Sequence, residues 1–115
     1  MCDSGAMALP DKGKLVRDMI PQIIEDSGRQ PNVVDIGEDD IREALEMKLN
    51  EEIEELLAAP EESRLEELAD IYEVVLALAS EINATEQQLD ATASAKRDER
   101  GGFGSHLWLI DAGNR

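Results

Sequence analysis

Aromatic residues are almost absent from this chain of 115 residues, which contains one Trp, one Tyr and one Phe. A core without aromatic rings must be built of Leu, Ile, Val and Ala, as it is in helical bundles. Cysteine is equally scarce. The single Cys2 excludes an internal disulfide, and such a composition is typical of a reducing cytoplasm.

Long apolar segments are missing as well. No run of apolar residues is long enough to span a bilayer. The N-terminus lacks the basic and then apolar pattern of a secretory signal. We therefore expect a cytoplasmic protein with no membrane partner.

Basic residues are few, since 11 Lys and Arg stand against 27 Asp and Glu and give a formal net charge of −16. This charge argues against nucleic acid as a partner. An anionic substrate would need a local basic patch or a metal. Six of the bases do cluster, in two short stretches: Lys12, Lys14 and Arg17, then Lys96, Arg97 and Arg100. The second cluster is either a phosphate clamp or a set of cations that favours a helix C-terminus.

Acidic residues are in excess, and the most informative ones lie between Glu51 and Asp70. Two carboxylate pairs there, Glu52 with Glu55 and Glu67 with Asp70, are each spaced i,i+3. On a helix such a pair lies about 60° apart and reaches the same side. Two helices packed antiparallel across a short connection would aim all four carboxylates into one space. Because the four would repel one another, we expect a divalent cation there, Mg²⁺ or Mn²⁺.

The position of Glu52 on its helix is the strongest single signal. A helical wheel places Glu52 in the middle of the apolar stripe of that helix, whereas Glu54 lies on the opposite side. A buried, unpaired Glu is costly, so Glu52 should have a partner. Either the partner is the cation, or Glu52 reflects an accident of register or a salt bridge to Lys48.

The next helix carries an apolar arc that is too wide for one neighbour. Ile71 lies beside the main apolar surface of this helix, and so do Val74 and Leu78, so the apolar surface is wider on that side. We expect this helix to be covered on more than one side, either as a central helix or in a dimer. The main apolar surface consists of Leu65, Leu68, Tyr72, Val75, Ala79 and Ile82.

The local signals predict a mainly all-α chain with a loose arm at 1–13 and a single domain at 14–115. Pro21 suits the first turn of a first helix that Gly28 would end. The second helix should run from about Asp39 to about Ala59, where Pro60 stops it. A third, to about Asn83, and a fourth, to Gly101-Gly102, should open with the capping boxes Ser63-x-x-Glu66 and Thr85-x-x-Gln88.

Two short apolar segments, 33–36 and 107–110, have the composition of strands. The first is either a short strand or an extended link. The second is either a strand that pairs with the first or a tail packed on the helices, and we favour the strand. Trp108 would serve as a packing anchor.

Three blocks of the sequence resemble a known superfamily. Glu51-Glu52-x-x-Glu55 followed by Glu67-x-x-Asp70 is similar to the EExxE…ExxD signature of the all-α NTP pyrophosphatases, which include the MazG-like proteins and phosphoribosyl-ATP pyrophosphohydrolase. The segments 14–21 (KLVRDMIP) and 96–103 (KRDERGGF) resemble the opening and closing motifs of a small phosphoribosyl-ATP pyrophosphohydrolase-like branch. Together the blocks bracket nearly the whole chain beyond residue 13.

The resemblance implies a four-helix MazG-like bundle that forms dimers or dimers of dimers. It implies hydrolysis of a nucleotide between its α- and β-phosphates, which gives a monophosphate and pyrophosphate, with a role in clearing non-canonical nucleotides. The implied Mg²⁺ ligands are Glu52, Glu55, Glu67 and Asp70. Glu51 and Glu52 would be catalytic, Glu51 as a further ligand or as the base that orients water. The implied phosphate-binding residues are Lys14, Arg17, Lys96, Arg97 and Arg100.

The sequence is compatible with two alternatives. The chain could be a phosphoribosyl-ATP pyrophosphohydrolase of histidine synthesis, which shares the acidic signature. It could instead be a non-catalytic acidic helical protein that binds a partner or only a divalent ion.

Overall fold

A computed structural model describes residues 9–113, and every regular element in that range is helical, which confirms the prediction of a mainly all-α chain. Part of the predicted arm, residues 1–8, lies outside the described residues, and so does Cys2. The elements are α1 (Ile20–Asp26), α2 (Gly37–Ala58), a 3₁₀ turn (Glu61–Ser63), α3 (Arg64–Glu81) and α4 (Glu86–Arg100).

The helix ends predicted at Pro21 and Thr85 are confirmed. Pro21 lies in the first turn of α1, where its missing N–H has no partner to lose. At α4 the Gln88 N–H donates to the Thr85 hydroxyl at 3.1 Å, and the Thr85 N–H donates to the Gln88 side chain at 2.8 Å. Gly101, with φ +83°, ends α4 in a conformation that favours glycine.

The capping box predicted at Ser63 is wrong. Ser63 makes no side-chain capping bond and has φ −104° and ψ −6°, near the helical region, instead of the extended conformation of an N-cap. The reason is the 3₁₀ turn, which runs directly into α3. Backbone N–H groups of this turn already donate hydrogen bonds within it, as Ser63 N does to Pro60 O at 3.0 Å. The N-terminus of α3 therefore continues from the turn and is not open for a side chain to cap.

The strand favoured at 107–110 is also wrong, and 33–36 is a link between helices, the alternative to a strand there. Neither segment has strand structure, and the side chains at 107–110 are 80–90% exposed. Trp108, expected to anchor packing, is 89% exposed. A short apolar run has strand-like composition whether or not it finds a partner, and a single pair of strands is marginal in water.

Helices α2 and α3 form an antiparallel hairpin, as predicted. Arg42, early in α2, donates to the Glu81 carbonyl at the end of α3 at 3.2 Å. At the opposite end Arg64 donates to the Leu56 carbonyl at 3.1 Å. The buried apolar side chains of the described chain all lie in this hairpin: Ala44, Leu45, Val74 and Ala79.

The other helices add little to this core. Helix α4 touches α3, where the Tyr72 hydroxyl donates a hydrogen bond to Glu86. Helix α1 packs closely on none of the other described helices. None of the helices described is both long enough and apolar enough to cross a membrane.

One chain buries little of its apolar surface. Its radius of gyration is 18.9 Å, against about 13 Å for a compact domain of this length. Helix α3 packs on α2 along one side and contacts α4 at Tyr72. Leu65 in its first turn is nevertheless 79% exposed, and Ile82, directly after its end, is 67% exposed. Residues 9–113 therefore supply the predicted cover for the second side of α3 only in part.

Candidate metal centre

Glu52 is the centre of a cluster of carboxylates built by α2 and α3. Its side chain is buried, and the residue is 6% exposed. Oxygen atoms of Glu51, Glu52 and Glu55 lie within 4.8 Å of one another, and so do those of Glu52, Glu67 and Asp70. The i,i+3 spacing on each helix and the antiparallel packing therefore bring all four predicted ligands together around Glu52. Glu54 is exposed, as expected from its place on the wheel.

Two oxygens in this cluster have no hydrogen-bond partner. Glu52 Oε1 and Glu67 Oε1 are buried and unsatisfied. Buried polar atoms in native proteins are nearly always paired, because an unpaired one loses its hydration without compensation. Two orphaned carboxylate oxygens among further carboxylates are a donor set that suits a hard cation such as Mg²⁺ or Mn²⁺.

The electrostatics of Glu67 point the same way. Burial raises the pKa of Glu67 above its ordinary value of 4.5, and the charges of Glu55, Asp70 and Glu52 raise it further. Negative charge is thus unfavourable at this position unless a cation enters the cluster.

Lys48 is a further residue of this site, in addition to the predicted ligands. Its ammonium donates to Glu51 Oε1 at 2.6 Å and lies 3.1 Å from Glu52 Oε2. Burial lowers the pKa of Lys48, but the hydrogen bonds and charges of Glu51 and Glu52 outweigh it, so the net shift is upward. The salt bridge considered as an alternative therefore exists, yet it leaves Oε1 of Glu52 unpartnered. The sequence signal for these contacts is the spacing of Lys48 from Glu51 (i,i+3) and from Glu52 (i,i+4), which places the three side chains on one side of a helix.

A cleft of about 620 Å³ opens beside the cluster. The segment 14–18 forms one wall, and Lys48, Glu52 and Asp70 form part of the other. The Arg17 guanidinium lies 2.7 Å from Asp70 Oδ1. The volume is in the range of small-molecule sites, about 300–1,000 Å³, and the cleft places cations next to carboxylates.

The second basic cluster is elsewhere. Lys96, Arg97 and Arg100 lie on the exposed last turns of α4, and none of them lines the cleft. Among the described residues, no ion pair joins them to the carboxylates, and Arg100 pairs with Glu99 at 3.5 Å. Within a single chain, Lys14 and Arg17 are the predicted phosphate-binding residues that line the cleft, and the other three lie away from it. Arg97 and Arg100 also lie in the last turn of α4, where a positive charge interacts favourably with the negative end of the helix dipole.

No family model and no solved structure matches this chain. A protein of Mycolicibacterium smegmatis (strain ATCC 700084 / mc(2)155), described as an uncharacterized protein, is 48% identical to it over 46 residues. The match covers 40% of this chain and 47% of that relative, so it spans about half of the relative's length. This relative's name states no activity, and a functional assignment therefore depends on the geometry of the site.

Proposed function

We propose that this chain is a Mg²⁺-dependent nucleoside triphosphate pyrophosphohydrolase that cleaves between the α- and β-phosphates. One observation carries the proposal. Glu52 is buried with an unpartnered oxygen at the meeting point of carboxylates from two helices, and that point borders a cleft that also contains Lys14 and Arg17. A cation would neutralise the carboxylates of this site, and a polyphosphate bound to the cation would pair with Lys14 and Arg17.

The carboxylates divide the work between them. Glu52, Glu55, Glu67 and Asp70 would hold the ion. A bound Mg²⁺ supplies charge for phosphate oxygens and lowers the pKa of a coordinated water. Lys48 orients Glu51 by the 2.6 Å hydrogen bond to Oε1, and the second oxygen of Glu51 would accept a proton from the attacking water.

Arg17 would change partner when substrate binds. Its ion pair with Asp70 is between side chains that are 55% and 42% exposed, and such pairs contribute at most about 1 kcal/mol. Once Asp70 binds the cation, Arg17 is available to hold a phosphate, with Lys14 on the same wall of the cleft. Lys96, Arg97 and Arg100 remain proposed phosphate-binding residues, although one chain does not bring them to this cleft.

The remaining features follow from the same proposal. A four-helix MazG-like bundle, assembled as a dimer or a dimer of dimers, would cover the exposed side of α3. The substrate would be a nucleotide in the cytoplasm, and clearance of non-canonical nucleotides would be its use.

One observation favours a second candidate, a non-catalytic protein that binds a divalent ion. Lys48 already neutralises part of the cluster at 2.6 and 3.1 Å, so these carboxylates have a structural role that does not depend on catalysis. The third candidate, phosphoribosyl-ATP pyrophosphohydrolase, uses the same carboxylates and differs only in its substrate.

A nucleotide panel separates these candidates. Ribo-, deoxyribo- and base-modified triphosphates and phosphoribosyl-ATP are incubated with Mg²⁺, and pyrophosphate and orthophosphate are measured separately. The proposal predicts pyrophosphate release that Glu52→Gln abolishes and Glu54→Gln retains. Metal binding without pyrophosphate release from any member of the panel would favour the non-catalytic candidate, and release from phosphoribosyl-ATP alone would favour the third.

A further inference from the structure

The segment 103–110, here called the C-terminal arm, exposes most of the large apolar side chains at this end of the chain. These side chains are 80–96% exposed. Large apolar side chains that are exposed together in one short segment usually mark a binding surface. Nothing in the described part of the chain covers them. The side chains are Phe103, Leu107, Trp108, Leu109 and Ile110.

A second apolar surface is open on α3. Leu65, Leu68, Tyr72 and Ile82 are 49–79% exposed, and we call this surface the outer face of α3. It lies on the side of α3 that α2 leaves uncovered, and α4 of the same chain contacts it at Tyr72 without covering the rest. The chain therefore carries two largely exposed apolar surfaces that do not cover each other.

Charge is divided between the same two regions. The hairpin at 37–81 has 16 acids and three bases, a formal charge of −13. The stretch 96–110 comprises the last turns of α4 and the C-terminal arm. It has three bases and two acids, a formal charge of +1. Two hairpins would repel each other, whereas a hairpin and the stretch 96–110 would not.

We propose that two copies of this chain exchange their C-terminal arms, so that each arm lies on the outer face of α3 of the other copy. The exchange would bring Lys96, Arg97 and Arg100 of one copy to the carboxylate cluster of the other. Each site would then be built by two chains, one supplying the carboxylates with Lys14 and Arg17, and the other supplying the bases of α4. The role of those bases toward phosphate rests on the proposed function, but the exchange itself does not.

The surface available is sufficient for a dimer. Phe103 and Trp108 would together bury about 300–500 Å² per arm, because a buried aromatic side chain removes about 150–250 Å² from water. Two exchanged arms and the surfaces they cover would remove about 1,200–2,000 Å² in total, which is the range of stable protein interfaces. The exchange also places bases against acids at both ends, which a dimer through the hairpins alone would not do.

Sedimentation equilibrium on the full chain tests the exchange. Wild type should be a dimer, and Trp108→Ser should raise the dissociation constant by roughly 30-fold or more, as the loss of a central aromatic anchor does. Leu65→Ser, on the receiving surface, should act in the same direction. Val33→Ser is the control, since Val33 is 55% exposed in the loop before α2 and belongs to neither surface. A monomeric wild type, or a dimer that Trp108→Ser leaves unchanged, would overturn the proposal.

A zero-length cross-link reports on the site. Unlabelled and ¹⁵N-labelled chains are mixed, allowed to exchange and treated with a carbodiimide, which joins the Lys96 amine to a nearby carboxylate. The exchange predicts cross-links from Lys96 to acids of 51–70 in which the two peptides carry different labels. Lys96 cross-links found only between peptides of the same label would contradict it. Neither readout needs turnover, so a failure of the proposed activity is distinguishable from a failure of the exchange.

Discussion

Glu52 combines burial, negative charge and an unsatisfied oxygen, and a change to Gln separates charge from shape. Glu52→Gln should reduce Mg²⁺-dependent pyrophosphate release by more than the roughly 100-fold that residues supporting a metal ligand can cost. In the metal-free protein the substitution relieves repulsion among the carboxylates, and Lys48 keeps its 2.6 Å hydrogen bond to Glu51, so the melting temperature should hold or rise. Turnover retained by Glu52→Gln would contradict the assignment, and Glu54→Gln is the matched control on the exposed side of α2.

Glu67 makes stability depend on pH in a definite direction. Because its pKa is raised in the folded protein, its contribution to stability is fully present below the ordinary value of 4.5 and is lost as the pH rises through the raised value. With divalent ions chelated, Glu67→Gln should therefore show a smaller fall in melting temperature between acidic and neutral pH than wild type does. Glu54→Gln, which removes an exposed charge, should keep the slope of wild type. Parallel curves for wild type and Glu67→Gln would show that Glu67 carries no such penalty.

Lys48 tests whether the salt bridge alone explains Glu52. Lys48→Met should destabilise the metal-free protein by about 1.5–3 kcal/mol, the usual value of a hydrogen bond to a charged group, because Glu51 and Glu52 lose their cation. The stabilisation by Mg²⁺, measured by thermal unfolding, should increase in this variant since the cluster is then more negative. A stabilisation by Mg²⁺ that disappeared in Lys48→Met would contradict the metal site, because a protonated ammonium cannot itself be a ligand of the ion.

Helix ends show which local signals are sufficient by themselves. Thr85 and Gln88 satisfy each other's backbone groups, and such a box works wherever a helix begins from extended chain. The same motif at Ser63 fails because a 3₁₀ turn precedes α3 without a break. The turn depends on how α2 and α3 are joined, which the motif does not contain.

Matched capping variants test this difference. Thr85→Ala should cost about 1 kcal/mol of local stability in α4, visible as faster hydrogen exchange of the first α4 amides. Ser63→Ala should be nearly neutral, because the Ser63 side chain makes no capping bond. Equal effects of the two substitutions on their helices would contradict the structure.

The parts of the molecule that follow from helix geometry could be predicted from the sequence. Carboxylates spaced i,i+3 on two antiparallel helices must converge, and Glu52, Glu67 and Asp70 do so. The positions of Lys96 and Trp108 could not be predicted in the same way. They depend on what covers α4 and the C-terminal arm, and within one chain these residues have few neighbours, so no local pattern determines their place.

The most direct test of the proposed metal centre is the effect of divalent ions on thermal unfolding. The carboxylates converge only in the folded chain, so an ion at ten times its dissociation constant should stabilise by RT ln 11, about 1.4 kcal/mol. For a chain near 100 residues this is about 6–11 °C, at about 4–8 °C per kcal/mol. Screening of the net charge of −16 also stabilises, so Na⁺ at equal ionic strength is the control. The stabilisation by Mg²⁺ or Mn²⁺ should exceed that by Na⁺, and the excess should vanish when Glu52 and Glu55 are both changed to Gln. An equal shift with Na⁺, or an excess that survives in the double variant, would contradict the proposed metal centre.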